Sequence, residues 1–164
     1  MQKIVMVDID STLWDFIGEL VLRMRTRFPY KNVPDKFETW ECPINFFNNK
    51  HEAYSIFNDI HMNQSEFGIY PYAKELLDSL KENYIVHIAS NRIPKSKCET
   101  EKWLKKHDIF YDDLFCSLDK RELFHQFNYK LVIDDAPHVQ QAALQKNIPV
   151  ITLETNYNKH IAGT

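Results

Sequence analysis

Two pairs of aspartates each follow a short apolar run that is typical of a buried strand. Asp8 and Asp10 follow the apolar residues 4–7, and Asp134 and Asp135 follow the apolar residues 131–133. Ligands of open α/β sheets bind beyond the carboxyl ends of the strands. We therefore expect both pairs to lie at one acidic site, where a cation must offset their mutual repulsion. Oxygen ligands of this kind suit Mg²⁺ working beside a phosphate. The predicted Mg²⁺ ligands are Asp8, Asp10, Asp134 and Asp135.

The first aspartate pair could carry out phosphoryl chemistry. Asp8 is the candidate nucleophile, because a carboxylate can attack phosphorus and form an acyl-phosphate. A turn after the strand would place Asp10 beside the leaving group, where it could protonate the departing alkoxide and later activate water. General acid–base help of this type is typically worth about 10²–10⁴ in rate. Asp8 and Asp10 are therefore both predicted to be catalytic.

Two further segments supply groups that could bind the phosphate. Ser90 ends an apolar strand, and its hydroxyl, with the backbone N–H groups of Asn91 and Arg92 in the following turn, could bind phosphate oxygens. A lysine is also needed to balance the charge of the transition state. Lys120 follows the apolar run 114–117 and is the preferred candidate, while Lys130 remains the alternative at the start of its strand.

The order of elements predicts an α/β fold with a doubly wound, mostly parallel sheet. The predicted strands are residues 4–9, 84–89, 114–117, 131–134 and 149–153. The predicted helices are residues 15–27, 51–62, 71–82, 95–107 and 137–146. Residues 15–69 lack β character and are too long for a plain crossover. We therefore predict a helical cap at 15–69, inserted into a catalytic core formed by 1–14 and 70–164, and such a cap could exclude water from the site.

Composition limits the possible partners. The chain has 164 residues and a net charge of −3, without the basic excess that a nucleic-acid binder usually carries. Its three cysteines are widely spaced, which favours free thiols in a reducing compartment. No apolar run approaches the roughly 20 residues that span a bilayer. We expect a cytoplasmic protein that binds neither nucleic acid nor membrane; the oligomeric state, a homodimer included, stays open.

The ordered set of strand-ending residues resembles the haloacid dehalogenase (HAD) superfamily of phosphotransferases. Residues 8–12 (DIDST) are similar to its first motif, Ser90 to the second, Lys120 to the third and Asp134-Asp135 to the fourth. The resemblance implies a Rossmann-like core and Mg²⁺-dependent phosphate chemistry. Dehalogenase members lack the second aspartate, so Asp10 favours a phosphatase.

A closer resemblance, to the 5'(3')-deoxyribonucleotidases, runs through the cap and beyond. The similar segments are Asp15-Phe16, residues 23–29, 70–73 and 101–104, and Asp119-Lys120. That family stacks the substrate base on cap aromatics; Phe16 matches one directly, while Trp40 and Phe57 match loosely or pack in the cap core. Arg92 stands where that family often has proline.

These observations predict a Mg²⁺-dependent phosphomonoesterase acting on (deoxy)nucleoside 5'-monophosphates through an aspartyl-phosphate. The alternatives are a phosphatase of the same fold for another small phosphoester, such as a sugar phosphate, and a non-catalytic binding protein of that fold.

Overall fold

The fold is built on one parallel sheet that places the ends of its strands along a single edge. The computed structural model describes residues 2–161. The sheet has the strand order β3-β2-β1-β4-β5 and every pairing is parallel. The strands are β1 (Lys3–Val7), β2 (Tyr84–Asn91), β3 (Asp113–Ser117), β4 (Tyr129–Ile133) and β5 (Val150–Ile151). The predicted α/β fold with a parallel sheet is confirmed.

Helices connect the strands and cover both faces of the sheet. They are α1 (Phe16–Arg27), α2 (Lys50–Met62), α3 (Ala73–Leu80), α4 (Lys97–Lys106), α5 (Leu123–Gln126) and α6 (Pro137–Gln145). Single 3₁₀ turns lie at Cys42–Phe46, Gln64–Glu66, Pro94–Ser96 and Lys120–Glu122. Most predicted elements are found within a few residues of their expected bounds. The clearest differences are that β2 continues to Asn91 and that the predicted helix 95–107 begins only at Lys97. Residues 95 and 96 belong to the preceding 3₁₀ turn.

Residues 15–69 contain helices and 3₁₀ turns and no strand. Their apolar side chains do not form a separate core, because Leu20, Met24 and Ile60 join Val5 and Val7 of β1 in one hydrophobic cluster. The other face of the sheet has its own cluster, which includes side chains of β4 and α6. The helical segment therefore shares one hydrophobic cluster with β1, to which side chains of α3 and α4 also belong. The predicted division into a cap and a core stays a prediction, and the predicted core ends, at 1 and 164, lie outside the described residues.

The edge that carries the site begins where the ladders of β1 and β4 end. Val7 pairs with Ile88 of β2 on one side and with Ile133 of β4 on the other. The Asp8 backbone N–H donates to the Ile133 carbonyl over 2.8 Å, and so extends this ladder by one residue. Because parallel strands run in one direction, the residues that follow β1, β2, β3 and β4 all emerge at this edge.

Candidate active site

Three aspartates meet at the carboxyl edge of the sheet. Asp8 follows β1, and Asp134 and Asp135 follow β4, the neighbouring strand. One carboxylate oxygen of each lies within 4.8 Å of the others, and all three residues are buried. The structure therefore brings together three of the four predicted metal ligands.

Lys120 follows β3, the strand at one end of the sheet order, and its side chain reaches this cluster. Its backbone N–H donates to the Asn91 Oδ1 over 2.8 Å, which fixes the turn after β3. The Lys120 Nζ contacts Asp8 Oδ1 and lies 2.7 Å from Asp134 Oδ2, with only 2% of the residue exposed. The predicted lysine thus lies directly beside the predicted nucleophile.

Lys130, the alternative lysine, is placed elsewhere. It is the second residue of β4, at the end of the strand opposite to Asp134, and is exposed. Its Nζ donates to the Asn128 Oδ1 over 3.1 Å. The structure therefore brings Lys120, and not Lys130, to the acidic edge.

The buried carboxylates outnumber the cation that contacts them. Burial raises the pKa of Asp8 to about 7, against the lowering effect of Lys120, and Asp134 raises it further. Burial, followed by the charge of Asp8, also raises the pKa of Asp135 well above its usual range. Burial disfavours the charged form of Lys120, but Asp134 and then Asp8 outweigh this and raise its pKa. The site thus favours a further positive charge.

The oxygen donors of this cluster fit a hard divalent cation. Asp134 Oδ2 is buried, and the Lys120 ammonium lies 2.7 Å from it. Asp134 Oδ1 accepts the Ala136 N–H over 3.0 Å, and Asp135 Oδ2 accepts the Tyr157 hydroxyl. A hydrogen bond to one oxygen of a carboxylate orients its second oxygen. Hydrogen bonds of this kind commonly position the side chains that bind a metal ion. Asp8, Asp134 and Asp135 are the residues that could hold Mg²⁺.

The Asp10 carboxylate stands outside this cluster, in a network of its own. Arg92 Nη2 donates to its two oxygens over 2.8 and 2.9 Å, and the Trp14 indole N–H donates over 2.9 Å. His61 Nε2 lies 3.1 Å away, and the Ser90 hydroxyl donates over 3.2 Å. Burial opposes ionisation, but Arg92 and then His61 outweigh it and hold the pKa of Asp10 well below its usual range. Both oxygens of Asp10 therefore have partners, and these contacts favour the ionised form of the carboxylate.

The backbone after β1 explains why Asp8 and Asp10 diverge. Ser11 has a φ of 60°, in the left-handed region that few residues other than glycine adopt. The chain turns there, and an isolated bridge links Asp10 to Trp14. Because β1 ends at Val7, Asp10 lies outside the strand, and its side chain is not held to the face of Asp8 as it would be in a regular strand.

The two predicted phosphate ligands on β2 differ in their accessibility. Ser90 is fully buried, and its hydroxyl accepts from Arg92 Nε over 2.8 Å while donating to Asp10. Asn91 lines the cavity described next, with its Nδ2 3.4 Å from His138 Nε2. Asn91 is therefore placed to meet a ligand, whereas the Ser90 hydroxyl is already engaged.

A cavity of about 610 Å³ opens above the acidic edge. Asp8, Lys120 and Asp135 lie at its polar end, and its walls are mainly apolar and aromatic. This volume lies within the range of about 300–1,000 Å³ that is typical of small-molecule sites. The cavity could hold a small ligand with one anionic group at Asp8 and Lys120.

The three predicted stacking residues all line this cavity. They are Phe16 at the start of α1, Phe57 on α2 and Trp40 in the loop between these helices. Phe16 and Phe57 pack edge to face, with ring centroids 5.9 Å apart. Trp40 packs edge to face on Tyr157, 5.3 Å between centroids, which connects the aromatic wall to the residue that contacts Asp135.

Several lining residues were not anticipated as part of the site. They are His61, His138, Tyr157 and the side chain of Arg92. Only the backbone N–H of Arg92 was predicted to bind phosphate, and it donates instead to the Ser117 carbonyl over 2.9 Å. The seven histidines have no spacing typical of ligands, and Tyr157 lies 22 residues from its partner Asp135. Only Arg92 had a signal, its departure from the proline common in the related family.

A family model described as "5' nucleotidase, deoxy (Pyrimidine), cytosolic type C protein" (NT5C) matches residues 2–164. The chain belongs to the NT5C family. The predicted resemblance to the deoxyribonucleotidases is confirmed, and this NT5C-family chain is a HAD-like phosphatase of the nucleotidase type.

Solved structures with the same fold support the superfamily assignment. A haloacid dehalogenase-like hydrolase from Streptococcus pneumoniae is 18% identical with a TM-score of 0.69, covering 96% of this chain and 88% of its own. A HAD-superfamily hydrolase of subfamily IA from Geobacter sulfurreducens is 15% identical with a TM-score of 0.60, covering 98% and 95%. A HAD family enzyme from Bacteroides thetaiotaomicron, solved as a magnesium complex, is 16% identical with a TM-score of 0.55, covering 98% and 97%. At these identities the likeness concerns the fold.

A search of curated protein sequences finds no significant match. Among residues 2–161, none of the helices has the length and apolar character needed to cross a bilayer.

Proposed function

We propose that the protein is a Mg²⁺-dependent phosphomonoesterase that hydrolyses (deoxy)nucleoside 5'-monophosphates through an aspartyl-phosphate on Asp8. The observation that carries this proposal is the position of Asp8, at the polar end of an aromatic cavity and in contact with Lys120. A phosphate held there would meet the nucleophile, while the apolar part of the same molecule would meet the aromatic walls.

The acidic cluster supports the use of Mg²⁺. Asp8, Asp134 and Asp135 are buried, and one carboxylate oxygen of each lies within 4.8 Å of the others. A Mg²⁺ ion bound by them would neutralise charge on the carboxylates and on the phosphate oxygens. The magnesium complex of the related Bacteroides thetaiotaomicron enzyme is consistent with this assignment.

Asp8 and Lys120 have different roles in the reaction at phosphorus: Asp8 is the nucleophile, and Lys120 offsets negative charge. An Asp8 carboxylate oxygen forms a bond to phosphorus as the phosphorus–ester oxygen bond breaks, and the leaving alcohol takes a proton. Water then attacks the phosphorus of the acyl-phosphate, which releases inorganic phosphate and restores the carboxylate. The Lys120 ammonium, held by Asp8 and Asp134, offsets the negative charge that the phosphoryl group carries through both steps.

Asp10 is the proposed acid–base residue. Its contacts with Arg92 and His61 favour the ionised carboxylate, which can act as a base directly but must first gain a proton to act as an acid. An ionised carboxylate can accept a proton from the attacking water in the second step. In the first step it must receive a proton before passing it to the leaving oxygen. The phosphate of a monoester has a second pKa near 6, so the monoanionic substrate itself brings such a proton.

The cavity walls support a substrate with a flat apolar part. Phe16, Trp40 and Phe57 offer ring faces or edges to a nucleobase, and the name of the NT5C family itself specifies nucleotides. We propose that residues 15–69 form the helical cap that supplies this wall, on a core formed by 1–14 and 70–164. The family name also specifies a cytosolic type, which supports a cytoplasmic location.

The test is a panel of phosphomonoesters, with phosphate release measured in excess Mg²⁺ and in excess EDTA. We expect dUMP and dTMP to be hydrolysed with higher kcat/KM than sugar phosphates, and activity to be lost in EDTA. Asp8→Asn should abolish turnover while circular dichroism and the thermal midpoint show a folded protein. Asp35→Asn, which changes an exposed carboxylate far from the cluster in sequence, is the matched control and should retain full activity. A preference for sugar phosphates would replace the nucleotide proposal, and undiminished activity of Asp8→Asn would refute the aspartyl-phosphate.

A further inference from the structure

Arg92, the residue that follows β2, is a buried arginine whose three guanidinium nitrogens all donate hydrogen bonds. Only 2% of the residue is exposed. Nε donates to the Ser90 hydroxyl over 2.8 Å, and Nη2 contacts both oxygens of Asp10. Nη1 donates to Gln64 Oε1 and to Thr100 Oγ1, each over 2.7 Å. The five donors of a guanidinium thus have partners on all sides.

These partners come from separate parts of the chain. Asp10 lies in the turn after β1, Thr100 lies on α4, and Gln64 lies in the 3₁₀ turn just after α2. Gln64 is fully buried and belongs to the helical segment 15–69. One side chain therefore connects a site carboxylate, the sheet layer and the helical segment.

A second contact reinforces the same connection. His61, near the end of α2, lies beside Asp10 through its Nε2 and stacks on Phe16 of the cavity wall, with ring centroids 5.4 Å apart. Asp10 is thus held from the helical segment as well as from β2. Displacement of α2 would disturb the partners of Asp10, and displacement of Asp10 would leave the buried His61 Nε2 without its partner.

We propose that Arg92 is a positioning residue with two linked effects: it fixes the Asp10 carboxylate in the site, and it fastens the end of α2 to the sheet. The first effect rests on the proposed acid–base role of Asp10, and the second does not. Lysine cannot replace Arg92, because a single ammonium group lacks the planar fork that reaches Asp10, Gln64 and Thr100 together.

The first effect is tested by comparing two leaving groups. An alkyl phosphate such as a nucleoside monophosphate or glycerol phosphate needs a proton on its departing oxygen, whereas p-nitrophenyl phosphate releases a stabilised phenolate. We expect Arg92→Met to lower kcat for the alkyl phosphate by about 10²-fold or more, the range of general acid–base catalysis, and for p-nitrophenyl phosphate by less than about tenfold. Equal losses on both substrates would overturn the proposal.

A double-mutant cycle shows whether Arg92 acts through Asp10. In an Asp10→Asn background, Arg92→Met should lower kcat for the alkyl phosphate by no more than about threefold further, because coupled residues are not additive. Fully multiplicative losses would overturn the proposal. Guanidinium chloride should restore part of the activity of Arg92→Ala and none of the activity of Arg92→Lys; failure to restore Arg92→Ala would count against a role specific to the guanidinium.

The second effect is tested by hydrogen–deuterium exchange, which needs no turnover. Gln64→Leu removes the contact with the helical segment, and Thr100→Val removes a contact of the same guanidinium with α4. We expect faster exchange across residues 50–66 in Gln64→Leu and Arg92→Lys, and exchange close to that of the parent protein in Thr100→Val. Unchanged exchange in Gln64→Leu would refute the fastening. A parent protein that hydrolyses no phosphomonoester would refute the proposed function and leave this measurement intact.

Discussion

The Nζ of Lys120 lies 2.7 Å from Oδ2 of Asp134, although the strands that precede these residues are separated in the sheet by β1 and β2. The same ammonium contacts Asp8, which lies between them. The pair therefore spans the middle of the carboxyl edge, beside the proposed nucleophile.

This contact predicts different effects for the two candidate lysines. Lys120→Met should lower kcat by about 10²–10³-fold, the range seen when a group stabilising transition-state charge is removed. Lys130→Met is the matched control and should leave kcat within about twofold, because Lys130 is exposed and contacts Asn128. Steady-state kinetics of both variants measure this, and a larger loss in Lys130→Met would reverse the assignment.

Metal binding should stabilise the fold through the three aspartates. A ligand that binds only the folded state at about 100 times its Kd adds about 2.7 kcal/mol to the free energy of unfolding. We expect Mg²⁺ to raise the thermal midpoint of the parent protein and of Asp35→Asn in a concentration-dependent way. Asp134→Asn should lose most of this rise, since it replaces a buried ligand oxygen. An equal rise in Asp134→Asn would place the metal elsewhere.

The aromatic wall should matter for nucleotides and little for smaller phosphates. Stacking of a base on an aromatic ring is worth about 1–3 kcal/mol by alanine substitution, so Phe16→Ala should raise KM for a nucleoside monophosphate about tenfold or more. KM for glycerol phosphate should change by less than about twofold. Tyr30→Ala is the control, because Tyr30 belongs to the same segment and is fully exposed. Equal changes in KM for both substrates would remove Phe16 from base recognition.

His87 should make the fold sensitive to mild acid. Burial lowers the pKa of His87, while Asp113 and then Asp112 act in the opposite direction. The imidazole is held by the Tyr129 hydroxyl, 3.0 Å from its Nδ1. An unfolded histidine takes up its proton near pH 6.5, before the folded one does, so the free energy of unfolding should fall as pH drops below about 6.5.

The measurement is urea unfolding at pH 7.5 and pH 5.5. His87→Gln should lose less stability between these two values than the parent protein does. His51→Gln changes an exposed histidine and should follow the parent protein at both. A steeper loss in His87→Gln would show that the imidazole is stabilised by protonation.

The acidic edge could be predicted because it depends on local patterns and one topological rule. Asp8, Lys120 and Asp134 each follow an apolar strand, and parallel strands deliver such residues to one edge. Lys120 was preferred over Lys130 because it follows a predicted strand whereas Lys130 begins one, and the family resemblance supported that choice. The structure separates them because one follows a strand and the other begins one.

The surroundings of Asp10 could not be predicted in the same way. Asp10 lies beyond the end of β1, where the strand alternation no longer fixes its direction, and its partners come from α2 and from the end of β2. No periodicity connects Asp10 to His61 or Arg92, which lie 51 and 82 residues further along the chain. Contacts of this kind arise from packing, which a linear pattern does not encode.

The hydrophobic cluster that joins Leu20 and Ile60 to β1 has a consequence for engineering. A segment without an apolar core of its own cannot be exchanged as an independent module. A chimera that receives residues 15–69 from a relative would also need matching side chains in the rest of the cluster, on β1, α3 and α4. Substrate range in such proteins should therefore change more readily by substitutions on the aromatic wall than by transplanting the whole segment.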